Sequence, residues 1–249
     1  MRVETHSVPS KPTAGQTLAP FWGEEALRRR LLDVLQSSAP PKLTYAEFLA
    51  WADEDTLAEW VDGEIVMTSP ASRRHQSMAD FLTSVLRSFV EQHDLGVVLS
   101  APFQMKLEHG REPDLLFIAA AHLDRLQETY LDGPADLVVE IISPESIGRD
   151  RGDKFYEYAR GGVPEYWLLD PQMTWAEFYR LEGGRYRLAF AGQEGDYRSQ
   201  ALPGFWLRVE WLWQQPLPIV EDVLLEIGGE SYARRWIERL RQSGFLGSA

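Results

Sequence analysis

Asp136-Leu137-Val138-Val139-Glu140-Ile141-Ile142-Ser143 is an apolar run with one carboxylate in its middle. Gly133-Pro134 stands before it and Pro144 after it. A short run of Val, Ile and Leu between such breakers reads as a strand buried on both faces. A bare Glu140 there would cost several kcal/mol unless a cation or hydrogen-bond donors meet it. Upstream, Arg111-Glu112-Pro113-Asp114-Leu115-Leu116-Phe117-Ile118 sets a second acid, Asp114, at the mouth of another apolar strand. Downstream, Arg151 to Arg160 predicts a short helix carrying Lys154, with Phe155, Tyr158 and Ala159 on one face and Gly161-Gly162 as its stop. Glu165-Tyr166-Trp167-Leu168-Leu169-Asp170 then predicts a third strand. Strand, helix and strand make a βαβ unit, which requires a parallel pair and a right-handed crossover. Two acids on neighbouring strands, with a lysine one crossover away, suggest a divalent-metal site for phosphodiester hydrolysis.

Further out the punctuation is clear. Thr44 with Glu47 three residues on is a capping box opening a helix from Tyr45 to Ala52. Asp62-Gly63 is a hairpin signal. It makes Ile65 to Thr68 the first strand, ended by Ser69-Pro70, with Glu59-Trp60-Val61 its partner or a preceding turn. Met78, Phe81, Leu82, Val85, Leu86 and Phe89 have the spacing of a long amphipathic helix over Ser72 to His93. Val97 to Leu107 reads as a second strand interrupted at Pro102, and His109-Gly110 turns the chain into the Asp114 strand. Ala121 to Asp132 reads as a surface helix or loop. Trp175 to Leu181 and Tyr186 to Phe190 flank Gly183-Gly184 as a hairpin, and the alternation over Phe205 to Trp213 predicts an edge strand. A helical C-terminus follows, with Val223, Leu224 and Ile227, then Trp236, Leu240 and Phe245. At the other end, residues 1 to 20 read as a disordered tail and Glu24 to Gln36 as an extra helix. The organisation expected is a tail and helix over 1–41, one α/β domain with a mixed sheet over 42–213, and a helical extension over 214–249.

The totals narrow the function. The chain has 249 residues, a formal net charge of −13, five histidines and no cysteine. Disulfides and thiolate metal sites are thereby excluded, and the histidines lack ligand spacing. No run reaches the ~18 apolar residues of a membrane span, and the start lacks a signal-peptide layout. A cytoplasmic protein is expected, with no membrane partner. An acidic chain repels nucleic acid through its average field, so any contact must be local or metal-mediated. That weighs against a DNA-coating protein and less against a nuclease, whose clustered acids add to the negative total.

Each candidate has a bland reading beside the chemical one. Pro113-Asp114 is common at ordinary turns, and Glu140 could be a strand-end acid or an ion-pair partner of Lys154 or Arg111. Together the two acids suit a hard cation, Mg²⁺ first and Mn²⁺ second. Lys154 could pair with Asp150 at i, i+4, or reach the strand ends to orient an attacking water. Glu59 is either an exposed turn acid or a further member of the site. His75, with Arg73 and Arg74, opens the long helix, where N–H groups and the helix dipole favour a phosphate. Glu165 and Asp170 read as strand-end caps, and Trp206, Trp211 and Trp213 as core or interface residues more than base-stacking ones. The favoured function is a Mg²⁺-dependent endonuclease on DNA, working as a homodimer. The alternatives are an inactive protein of the same fold serving as an assembly module, and a carboxylate-pair glycosidase.

The ordered series resembles a known family. It runs Glu59-Trp60-Val61-Asp62-Gly63-Glu64-Ile65, Ser69-Pro70 with His75, and Pro113-Asp114. It continues through Val138 to Pro144, Arg149-Asp150 with Lys154 and Tyr158, and Gly162 to Trp167 with Asp170-Pro171. Over Thr44 to Arg208 the chain resembles the Uma-two family of restriction-endonuclease-like proteins. The resemblance implies a nuclease core of a mixed sheet flanked by helices. It assigns metal binding to Asp114 and Glu140, with Glu59 as an additional acid. The usual lysine two residues after the second acid is Ile142 here, and Lys154 on the following helix takes its place.

Overall fold

A computed structural model describes residues 42–52, 56–67, 71–144 and 146–245. The expected tail over 1–20, the helix over Glu24 to Gln36, Thr68 and the break at Ser69-Pro70 lie outside the described residues. The strand carrying Glu140, β8 (Leu137–Ile141), is buried at all five positions, and β9 (Glu165–Asp170) at all six. The two pair in parallel from Leu137 opposite Glu165 to Ile141 opposite Leu169. The connection between them is a π-helical turn, Arg149–Asp153, running into the helix α3 (Lys154–Gly161). Gly162, at φ 88°, ends that helix in the left-handed conformation that glycine adopts at little steric cost.

On the other side of β8 lies β6 (Leu115–Ala119), antiparallel, and then β3 (Gly96–Ser100). Beyond β9 come β10 (Trp175–Glu182) and β11 (Arg185–Gly192), the expected hairpin. The mixed sheet therefore runs β11-β10-β9-β8-β6-β3. A second sheet, in the order β2-β1-β5-β4-β7, is built from β1 (Ala58–Val61), β2 (Glu64–Met67), β4 (Gln104–Lys106), β5 (Gly110–Arg111) and β7 (Tyr130–Asp132). The capping box at Thr44 is formed, and it opens α1 (Tyr45–Trp51).

Alternation along the central strands gives the large sheet two cores. On one face Leu115, Phe117, Leu137, Val139 and Ile141 pack with the apolar stripe of α2 (Arg73–Gln92) and with Val223, Leu224 and Tyr232 of α4 (Val220–Gln242). On the other face Leu116, Ile118, Val138, Ile142 and Leu168 pack with Tyr158 of α3 and with Met105 and Leu131 of the second sheet. Glu140 and Asp114 belong to this second face.

Three expectations need correction. Val97 to Leu107 is two strands in different sheets, and Pro102 lies in the link between them. Ala121 to Asp132 contains a 3₁₀ turn (Ala120–Arg125) and the short strand β7. Phe205 to Trp213 holds only the three-residue strand β13 (Trp206–Arg208), which pairs with β12 (Asp196–Arg198). A 3₁₀ turn over Val209–Trp213 follows it, because Val209, Trp211 and Leu212 all reach the core and strict alternation cannot bury neighbours. Among the described residues no helix is long and apolar enough to cross a membrane.

Candidate active-site cleft

The antiparallel register of β6 and β8 brings the two acids together. Leu115 pairs with Val139, so one step outward sets Asp114 against Glu140. The Ile141 N–H donates to Asp114 Oδ2 at 2.6 Å, which fixes that carboxylate across the strand ends. Both acids line a cleft of ≈ 550 Å³ that also receives Glu59, His75, Asp150 and Lys154.

Lys154 is buried at the cleft floor, and its ammonium is shared. Its Nζ lies 2.9 Å from Glu59 Oε1, 3.0 Å from Glu140 Oε1 and 3.5 Å from Asp150 Oδ1. The i, i+4 pair with Asp150 and the reach to the strand ends therefore coexist. One turn further along α3, the Tyr158 hydroxyl donates to Glu140 Oε1 at 2.7 Å. His75 Nε2 lies 3.3 Å from Asp114 Oδ1. Arg73 and Arg74 stand in the same first turn of α2, Arg73 exposed and Arg74 half-buried.

Glu59 is a different kind of acid from Glu140. Its Oε1 accepts from Lys154 and from the Glu112 N–H at 3.3 Å, while its Oε2 faces Arg111 at 3.1 Å. Arg111 in turn holds Glu157 at 2.7 Å, and Glu157 accepts from the backbone N–H of His109 and pairs with its Nδ1. His109 Nε2 completes the series at Asp62, 3.0 Å away. Burial raises the Glu59 pKa, but the charges of Lys154 and Arg111 outweigh it and hold the carboxyl below its ordinary value. Glu140 goes the other way. Burial pushes its pKa well up, Lys154 offsets only part of this, and Asp150, Asp114 and Glu59 push it further. Asp150 is raised by burial as well, and its buried Oδ1 has no hydrogen-bond partner. Burial lifts Glu112 to about 7, with the charge of Glu59 adding to the effect.

A larger hollow of ≈ 860 Å³ lies beside His109, Arg111 and Glu157, but those groups already pair with one another and with Asp62. The chemistry concentrates in the smaller cleft. There Asp114, Glu140 and Asp150 bring more negative charge than Lys154 offsets, since that ammonium also serves Glu59. Among the described residues no three His, Asp or Glu side chains form a closed metal cage. A pair of carboxylates completed by water and substrate oxygens is instead the arrangement suited to Mg²⁺, so the donors here fit a hard cation.

Residues 45–210 match the model of the Uma2 family, described as "Putative restriction endonuclease". The chain belongs to the Uma2 family. Membership supports a nuclease in general terms. A curated relative, "Uncharacterized protein slr1290" of Synechocystis sp. (strain ATCC 27184 / PCC 6803 / Kazusa), is 27% identical over 137 residues, which are 53% of this chain and 70% of the relative. A solved structure described as a "putative nuclease belonging to DUF820" from Anabaena variabilis ATCC 29413 superposes with a TM-score of 0.59 at 18% identity. It covers 70% of this chain and 98% of that one, and at such identity the likeness speaks for the fold alone. In this Uma2 chain the structure brings Asp114, Glu140, Lys154, Glu59 and His75 into one cleft, which Arg74 also lines, while Arg73 lies outside its wall.

Sequence reasoning missed several neighbours. Apart from their place in the family series, Asp150 was legible only as a partner of Lys154, and Tyr158 only as an apolar face residue, although its i, i+4 spacing from Lys154 sets both on one side of α3. Arg149, Glu112 and the Glu157–His109 pair gave no separate signal.

Proposed function

We propose that this Uma2 chain is a metal-dependent endonuclease hydrolysing DNA phosphodiester bonds at the Asp114–Glu140–Lys154 cleft. One observation carries the reading. A carboxylate pair on neighbouring strands, Glu140 buried and Asp114 half-buried, faces a cleft whose negative charge exceeds its positive charge, which is the deficit a hard divalent cation fills. Asp114 and Glu140 would hold the ion, Mg²⁺ or, second, Mn²⁺. When bound, it supplies a water of lowered pKa and charge to offset the phosphate. The remaining work belongs to the protein. Glu59 and Glu140 hold the Lys154 ammonium in one position, where it can orient the attacking water and meet developing negative charge. Tyr158 keeps Glu140 turned toward the cleft. The catalytic unit is then the α/β domain over 42–213, in a cytoplasmic setting. Assembly as a homodimer, for which light scattering is the test, would let two cuts follow two-fold DNA symmetry.

The test pairs a plasmid-nicking assay with thermal unfolding, using the parent and Glu140→Gln. The parent should nick in Mg²⁺ and melt higher with the ion, by mass action on the folded state. The variant should do neither. Nicking that survives the substitution, or an equal metal response in both proteins, makes Glu140 a structural residue.

A further inference from the structure

The cleft holds two kinds of cation. Lys154 and His75 are committed, to Glu59 and Glu140 and to Asp114 respectively. Arg74 and Arg149 also line the cleft, yet among the described residues neither guanidinium makes a hydrogen bond or an ion pair. Arg149 has its Nε buried with no partner, although carboxylates stand in the same wall. A buried guanidinium donor left unmet keeps its desolvation cost with nothing to offset it, so its persistence points to a ligand that meets it.

The sequence around Arg74 is anomalous in the same sense. The first turn of α2 is Arg73-Arg74-His75, with no acid. Cations at a helix N-terminus oppose the dipole, where acids are favoured. In a chain of net charge −13, three basic residues at the unfavourable end of a 20-residue helix run against both the local rule and the overall composition. Local rules broken in this way concentrate at functional sites.

We propose that Arg74 and Arg149 are phosphate contacts of a bound DNA strand, holding its backbone over the Asp114–Glu140 pair. The proposal rests on the nuclease reading for its choice of ligand and deepens it. The favourable field for DNA is local, at two uncommitted guanidinium groups from two separate elements, and not spread over the acidic surface. Arg74 also lines an adjoining groove of ≈ 490 Å³ with Arg73, Ser77 and Gln214, which gives the strand a direction of exit from the cleft.

The experiment is fluorescence anisotropy of a short labelled duplex across a salt series, with Ca²⁺ in place of Mg²⁺ so that binding is read without cutting. Arg149→Gln and Arg74→Gln should each weaken binding about tenfold and lower the slope of log K against log salt by about one. Arg149→Lys should keep the slope. Arg160→Gln, which removes a surface arginine paired with Glu108, is the control and should change neither quantity. Melting temperatures should not fall below the parent value, because neither guanidinium holds another part of the protein. Unchanged affinity and slope in both glutamine variants, or no duplex binding by the parent, overturns the proposal. Cutting by the parent with unaltered slopes in the variants leaves the nuclease standing without these contacts. Altered slopes without any cutting in Mg²⁺ would retain the contacts and remove the nuclease.

Discussion

Two ion networks meet at the ammonium of Lys154, and they differ in balance. On one side Glu59, Arg111 and Glu157 alternate in charge, His109 hydrogen-bonds to Glu157, and each carboxylate oxygen of Glu59 has a donor. On the other, Glu140 and Asp150 crowd toward the same cation while Asp114 turns to His75, and Asp150 Oδ1 makes no hydrogen bond. The residue types are nearly the same. What separates a stabilising network from a chemical one is the count of charges against partners, because a satisfied buried pair rigidifies while an unsatisfied one waits for a ligand.

The contrast can be broken most sharply by deletion. Arg111→Met strands Glu59 and Glu157 as buried, under-compensated carboxylates and should cost about 3–5 kcal/mol in urea unfolding. Glu140→Gln in metal-free buffer should cost far less or stabilise, since it relieves a charge that lacks compensation. Equal losses in the two variants would erase the distinction between the networks.

Next in size is the pH response, which has opposite sign for the two glutamates. Glu140 has a folded pKa above the ordinary 4.5, so the native state holds its proton where the unfolded chain has released it. The associated stability is present below 4.5 and falls by about 1.4 kcal/mol per pH unit until the folded value is passed. Glu59 has a folded pKa below 4.5. Its contribution is present above 4.5 and is lost as pH falls through the folded value. Metal-free unfolding across pH should therefore show Glu140→Gln flattening the decline on the alkaline side, and Glu59→Gln flattening the loss in acid. A shared sign would sink the contrast.

The smallest effect sharpens it. Tyr158→Phe removes one donor from Glu140 and nothing from Glu59, for a loss of roughly 0.5–1.5 kcal/mol by thermal melts. Magnesium should restore part of that loss if the ion takes over the hydroxyl's task at Glu140. No recovery would mean that the hydroxyl acts on packing alone.

The difference between the networks also explains what could be read in advance. A carboxylate inside Val138-Val139-Glu140-Ile141-Ile142 is conspicuous because it breaks a pattern, and the pattern itself gave β8, the crossover and β9. The partners of Arg111 break no pattern. Glu157 lies 46 residues away and Glu59 lies 52 residues away, and only the approach of the second sheet to α3 joins them. Lys154 was legible as a residue but not in its aim, since the spacing to Asp150 allowed an ordinary surface pair. Strands of three residues, such as β7 and β13, carry too few alternations to register.

The π-helical turn at Arg149–Asp153 sets the rotational phase of α3. An α-helix advances about 100° per residue, so the length of chain before Lys154 decides which way its amine points. Gly152 sits in that turn with open space around it. Deleting it would leave every acid and the lysine in the sequence while swinging Lys154 and Tyr158 away from Glu140. The site is thus encoded partly as a length, and a comparison that scores only residue identities would pass such a deletion as intact.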